Sequence, residues 1–263
     1  MIVFVTVAAG ADRLAPYHYD AQLLSDRLKP PAWTPGGSWA HPLGSDQLGR
    51  DILSRILYGA RVSLAVGLLS VTVGCAAGTT LGLVAGYAGG AIDAVVSRAA
   101  DAQLSFPYLL LAVALMALGG RGLFNLILVL SLGSWVVYAR TVRAAVMSLK
   151  TAEFIEAARA VGAPTWRIMI RHILPNTMAP LTVISSFQFA QMLLSEASLS
   201  FLGLGVQPPA PSWGEMLGSG RSYLTSAWWL ATLPGLSIAL VVLGANLVGD
   251  GLRDVFDPRV VAD

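Results

Sequence analysis

Residues 62–92, VSLAVGLLSVTVGCAAGTTLGLVAGYAGGAI, run from Arg61 to Asp93 without one Asp, Glu, Lys or Arg. A helix rises ~1.5 Å per residue, so about 20 apolar residues cross the ~30 Å hydrocarbon layer of a bilayer. The stretch is read as a membrane span at 64–86. Charge-free gaps recur at 102–120, 122–139, 172–195 (which holds only His172) and 222–249, predicting spans at 103–120, 122–140, 174–195 and 228–248. The composition agrees. Of 263 residues, 55% are hydrophobic and 12% charged, against roughly 25% charged in a soluble domain. Mean hydropathy is +0.66. Such a chain is an all-α integral membrane protein rather than a disordered chain, a nucleic-acid binder or a disulfide scaffold. The net charge of +2 implies no bulk electrostatic partner. The single cysteine, Cys75, lies inside an apolar stretch and reads as a small packing residue.

The remaining segments fix topology. Window 197–214 is also charge-free, but Pro208, Pro209, Pro211, Gly203 and Gly205 break a helix. Its freed backbone groups could not be satisfied facing lipid, so it reads as a folded or re-entrant element outside the bilayer. Residues 1–11, MIVFVTVAAGA, are apolar but too short to cross. A signal peptide would need a basic start that is missing. The preferred reading is the outer end of a truncated first transmembrane helix. Residues 12–61 form a long polar, external or amphipathic segment with five prolines, and 62–263 the transmembrane domain. Loop 140–172 concentrates Arg140, Arg143, Lys150, Arg159, Arg167 and Arg171, whereas 195–227 holds only Arg221. By the positive-inside rule 140–172 is cytoplasmic and 195–227 external. The cluster Asp46, Arg50 and Asp51 reads either as part of an external gate or as a solvated, internally paired patch.

Gly74, Gly78, Gly82 and Gly86 repeat at four-residue spacing, a smooth stripe along one helix face. Small residues let helices approach closely in lipid. On that reading Gly78→Leu impairs assembly with a partner subunit; a pore-lining stripe is the alternative. Gln188, Gln191 and Ser195 share a face of the 174–195 span and Asn246 stands on the last span. They serve either interhelical hydrogen bonding or a hydrated translocation path. No Asp, Glu, Lys or Arg lies deep in a predicted span. The three histidines form no HExxH, there is no GxSxG, and Lys29 and Lys150 each follow Leu, so no Walker A loop exists. Catalytic and metal-ligating residues are expected to be none, and any energy must come from elsewhere.

Residues 151–174 read as helix, glycine, helix. Thr151 is placed to cap the first helix, with Glu153 in its first turn. Phe154, Ala158 and Val161 share one face, Gly162 interrupts, and Pro164 suits the next helix start. There Trp166, Met169 or Ile170, and Ile173 form an apolar face opposite Arg167 and Arg171, and Pro175 follows. The hairpin either rests on lipid headgroups or docks into a partner's groove.

The run EFIEAARAVGAPTWRIMIRHILPN (153–176) resembles the EAA loop of ATP-binding-cassette (ABC) importer permeases, with the pattern on Glu156, Ala157, Ala158, Gly162, Leu174 and Pro175, and His172 at an isoleucine position. HPLGSDQLGRDILSRILYGARVSL (41–64) and SEASLSFLGLGVQPPAPSWGEML (195–217) resemble the C-type subunit of dipeptide, oligopeptide and nickel permeases. The resemblance runs from about residue 41 to Arg259; the short N-terminus departs from it. It implies a six-span type I importer domain in the bacterial inner membrane, first span short, both termini inside, and 12–61 and 195–227 outside. It implies that 151–175 is a coupling loop, with Glu156, Ala157, Ala158, Gly162 and Arg167 facing an ATPase. Implied partners are a homologous second permease, two ABC ATPases and an extracytoplasmic substrate-binding protein in a lipid bilayer, with no nucleic acid. No cofactor is expected on this chain, ATP and Mg belonging to partner subunits. Peptides are the expected cargo, nickel or another small solute the alternative. A secondary transporter or channel, and a membrane assembly factor, are the rivals from other classes.

Overall fold

A computed structural model of the chain describes residues 2–256. Among the described residues the fold is helical; one isolated bridge pairs Ser45 with Asp51 and no strand forms. The helices are α1 (Ile2–Ala9), α2 (Ala11–Leu14), α3 (Ile52–Ala88), α4 (Gly90–Leu104), α5 (Tyr108–Gly119), α6 (Leu123–Leu149), α7 (Glu153–Ala160), α8 (Thr165–Ile168), α9 (Leu174–Phe201), α10 (Trp213–Gly220) and α11 (Trp229–Phe256). Helices α3, α6 and α11 are each long and apolar enough to cross a membrane. Helix α9, at 28 residues, has the length but is diluted by Asn176, Ser185, Ser186, Gln188 and Gln191.

Helices α6, α9 and α11 run past the predicted ends of their spans, to Leu149, Phe201 and Phe256, and two further boundaries differ from the sequence reading. Helix α3 begins at Ile52, inside the segment read as polar, because the Asp51 carboxylate accepts the Ser54 amide at 2.7 Å and caps it. The expected span 103–120 is broken. Helix α4 ends at Leu104, Pro107 follows, and the 12-residue α5 departs at 93°. Pro107 offers no amide and pushes Phe106 out of helical geometry. Only together do α4 and α5 meet the requirements of a span.

The chain divides into two compact units. The first comprises residues up to Leu69, Val113–Ile127 and Phe189–Ala245. Its core gathers Ile52, Met216, Ala227, Trp229 and Leu230, with Leu28, Leu43 and Ile56 against them. Beside it lies a buried polar layer. Asp46 and Arg50 pair at 2.6 Å, and Arg55 donates to Glu215 at 2.7 Å. Asp46, Arg50 and Asp51 are all buried, so the solvated-patch reading does not hold. Burial pushes the Glu215 carboxyl up from its ordinary pKa, and the Arg55 guanidinium draws it partly back. Arg61 donates to the carbonyls of Ala8 and Ala9, satisfying the open end of α1, and pairs with Asp12 at 2.8 Å. That hydrogen bond holds the Asp12 carboxyl below its usual range.

The second unit comprises Ser70–Ala112, Leu128–Gln188 and the chain from Asn246. Its centre is the crossing of α3 on α6. Helix α4 is tied to α6 by a two-pronged Arg143–Asp93 pair, by Arg140–Asp101 at 2.6 Å, and by Trp135 donating to Gln103 at 2.6 Å. A cavity of about 400 Å³ lies there, lined by Ala100, Asp101, Arg140 and Arg143. Cys75 is half-buried, its sulfur 3.8 Å from the Thr79 hydroxyl.

Candidate functional site

The coupling segment begins where α6 ends. Ala152, not Thr151, is the N-cap of α7; the Thr151 hydroxyl donates to the Ser148 carbonyl at 3.2 Å. Gly162 then closes α7. Its amide donates to Arg159 at 2.9 Å and the Ala163 amide to Ala158 at 3.0 Å, the paired bonds of a Schellman stop. Gly162 has φ +81, and a Cβ there would meet nothing within 4 Å. Its requirement within this chain is therefore the left-handed backbone, not close packing.

The second arm does not end at Pro175. Helix α8 passes through a π turn, Met169–Ile173, straight into α9. The wider turn relieves the collision that the Pro175 ring would make with the carbonyl four residues earlier. Pro164 sits at the N-cap of α8.

The predicted apolar faces turn outward. The buried anchors are Ile155, Ile168 and Ile173. Val161 is 86% and Trp166 57% exposed, and Phe154 and Ile170 are exposed with them. Of the predicted face residues, only Ile173 is buried, because a two-arm loop one helix wide inserts one edge into the fold and leaves the other free. Glu156 and Ala157 are exposed and Ala158 half-buried. The Glu156 side chain has no partner among the described residues. Arg167 stacks over Trp166 at 5.5 Å and Arg159 over Tyr87 at 5.5 Å. The segment thus presents aromatic, aliphatic and basic groups together on a stiff frame.

The glycine stripe lies against α6 of the same chain. A Cβ on Gly78 would strike the Trp135 carbonyl and stand 2.6 Å from the Tyr138 Cβ. On Gly82 it would strike the Ala139 carbonyl, and on Gly86 it would reach the Val146 Cβ at 2.9 Å. On Gly74 it would meet the Ser134 hydroxyl. The Lys150 ammonium donates to the Gly86 carbonyl at 3.3 Å, a cation at the end of α3.

Gln191 is exposed and Gln188 and Asn246 half-buried. None of these side chains hydrogen-bonds within the described residues. The structure gathers a different polar group that sequence reasoning missed. Glu196 lies in α9, beyond the predicted end of the span, and is wholly buried. Ser200 and Ser212 donate to one carboxylate oxygen at 2.7 and 2.9 Å, and Ser63 approaches the other at 3.5 Å. Ser63 in turn accepts the Trp213 amide at 3.1 Å. One carboxyl thereby joins α3, α9 and the start of α10. A sequence signal was present: Ser212-Trp213-Gly214-Glu215 is a Ser-x-x-Glu cap, and Ser212 does accept the Glu215 amide at 3.1 Å.

The family described as binding-protein-dependent transport system inner membrane component matches residues 78–262. The di/tripeptide transport system permease protein DppC of Pseudomonas aeruginosa is 46% identical over 260 residues, covering 99% of this chain and 86% of the relative. The glutathione transport system permease protein GsiD of Pectobacterium atrosepticum is 45% identical over 260 residues, covering 99% and 85%. Among solved structures, a chain of the MetNI methionine ABC transporter in an inward-facing form superposes with a TM-score of 0.62 at 22% identity, over 78% of this chain and 98% of that one. These relatives are transport permeases, and the solved structure shares the type I importer fold. The chain belongs to the family of binding-protein-dependent transport system inner membrane components, as a multi-pass ABC importer permease of the bacterial inner membrane.

Proposed function

We propose that this permease carries di- and oligopeptides and is driven through residues 151–175 by separate ATPase subunits. The single observation that carries the coupling is the outward face of that segment. Phe154, Val161, Trp166 and Ile170 are exposed on a frame fixed by the Gly162 stop and the three buried isoleucines. Exposed apolar groups on a rigid mount are what a partner's groove recognises. Glu156, Ala157, Ala158 and Arg167 supply the charged and small contacts around them. The peptide cargo is supported by the names of relatives at 45–46% identity, which transport dipeptides, tripeptides and glutathione.

On this reading the chain performs no bond chemistry and holds no cofactor; ATP and Mg sit on two partner ATPases. A homologous second permease completes the path, to which Gln188, Gln191 and Asn246 contribute polar side chains. A substrate-binding protein delivers cargo from outside, where 12–61 and 195–227 lie. Closure of the nucleotide sites shifts the permease pair between two access states by differential contact with this loop.

The test is Gly162→Leu. A branched side chain at φ +81 forces the loop out of register. The expected result is loss of ATPase co-purification and at least a tenfold fall in peptide uptake, with normal membrane insertion. Normal uptake and co-purification would overturn the coupling role.

A further inference from the structure

Residues 30–43, PPAWTPGGSWAHPL, form a lobe of the first unit with no Asp, Glu, Lys or Arg. Its backbone is closed on itself. The Ala32 amide donates to Pro42 at 3.1 Å, Thr34 to Pro31 at 2.9 Å, Gly37 to Thr34 at 2.9 Å and His41 to Ser38 at 3.0 Å. A Cβ at Gly37 would strike the Pro31 carbonyl. The base is clamped: the His41 ring sits between Asp51 at 3.0 Å and Asp26 at 3.1 Å, and the Trp229 indole donates to the Ser45 carbonyl at 3.1 Å. On this fixed frame Trp39 is 80% and Trp33 58% exposed. A tryptophan buries roughly 150–250 Å² when covered, and a pre-ordered one loses little entropy in the act. Such residues anchor protein interfaces.

Its height above the lipid selects the occupant. Arg61 and Asp12 form an ion pair whose members are 35% and 66% exposed, so this point on α3 lies outside the hydrocarbon. Helix α3 begins at Ile52, nine residues farther out and ~13 Å along the axis, or about 10 Å even at a 40° tilt. The headgroup layer is only about 5–8 Å deep. The lobe packs at this outermost end, where Ile52 donates to the Gly44 carbonyl at 3.0 Å. It therefore stands beyond the headgroups, where a water-soluble protein can reach it and an acyl chain cannot. The family is named for its dependence on a binding protein.

We propose that Trp33 and Trp39 are an anchor on which this permease receives its soluble substrate-binding protein. The inference rests on the importer reading above and on the external position of 12–61 that goes with it. The experiment uses the assembled transporter in lipid nanodiscs with the purified binding protein of its own system. It follows ATP hydrolysis against binding-protein concentration for wild type, Trp33→Ala, Trp39→Ala, the double variant and Trp39→Phe. In the double variant the half-saturating concentration rises at least tenfold, while the rate at saturation and the basal rate hold; Trp39→Phe recovers part of the loss. An unchanged half-saturation beside normal stimulation overturns the anchor alone. Loss of the second permease from the purified variant complex also overturns it, assigning the lobe to a seam between permeases. So does quenching by brominated lipid of a fluorophore on Trp39→Cys in a Cys75→Ala background, which would make the lobe a membrane anchor. A wild-type complex that no binding protein stimulates overturns the importer reading, and this inference with it.

Discussion

Gly78 has no room for a side chain. The position its Cβ would take is filled by the Trp135 carbonyl and the Tyr138 Cβ. Both belong to the same chain, so Gly78→Leu acts before any partner subunit is met. Overpacking of this kind costs about 1–3 kcal/mol or more. The expected outcome is a lowered melting temperature of the isolated chain in detergent, not only a poorer yield of complex. A second residue-level expectation concerns Arg55. It is buried and directed at the half-buried carboxyl of Glu215, whose side chain is 12% exposed. Arg55→Ala strands that carboxyl; removal of one partner of a fully buried pair costs roughly 3–5 kcal/mol, and the residual exposure of Glu215 places this cost at or below the lower end. Glu215→Gln, which keeps a hydrogen-bond acceptor for Arg55, destabilises less. A thermal scan of the two variants checks the order. Neither effect was visible in the sequence. The glycine spacing announced a close approach but not its partner, and Arg55 and Glu215 are 160 positions apart.

At the scale of elements, legibility followed how local the cause is. Membrane helices were legible because long gaps between charges are a property of consecutive residues. The Gly162 stop was legible because a left-handed turn is written in one residue. The break at Ser105–Pro107 was obscured because no ionised residue interrupts 102–120, although Pro107 marked it. The spacing grouped the apolar residues of the coupling loop on one side, and the structure leaves Phe154, Val161, Trp166 and Ile170 exposed there; the inward anchors Ile155 and Ile168 were not legible, because spacing does not say which residues meet the fold. The outer lobe yields a prediction of its own. Lys29, and then His41, hold the Asp26 carboxyl below its ordinary value, which is about 3.9 in an unstructured chain. A depressed carboxylate stabilises the fold above its unfolded pKa, and the contribution fades as pH falls through the folded value. The protection of the 28–46 amides, taken as the exchange rate against the intrinsic rate at the same pH, is therefore expected to fall below about pH 4. In Asp26→Asn that acid-induced loss of protection shrinks.

At the scale of the whole molecule, the sequence motifs identified the importer family and the helices follow its fold, but the polar interior around Glu196 emerged only in three dimensions. Glu196 and Ser200 share one face of α9 four residues apart, but Ser63 and Ser212 come from other parts of the chain, and no spacing rule brings them to that carboxyl. Glu196→Leu removes the acceptor that two buried serine hydroxyls use, and stranded buried hydroxyls cost about 1–3 kcal/mol each. The expected result is faster proteolysis at 202–212 with the transmembrane helices intact; Glu196→Gln, which keeps the acceptor, is expected to remain resistant. The π turn at Met169–Ile173 has a consequence of another kind. Since α8 flows through it into α9 without interruption, the segment's angular phase is set by a single surplus residue. Were that surplus absorbed, everything before it would swing by about 100° around the helix axis and be drawn in by ~1.5 Å. Trp166 and Arg167 would then face a different quarter, so the turn works as a vernier that determines which way the exposed arm points.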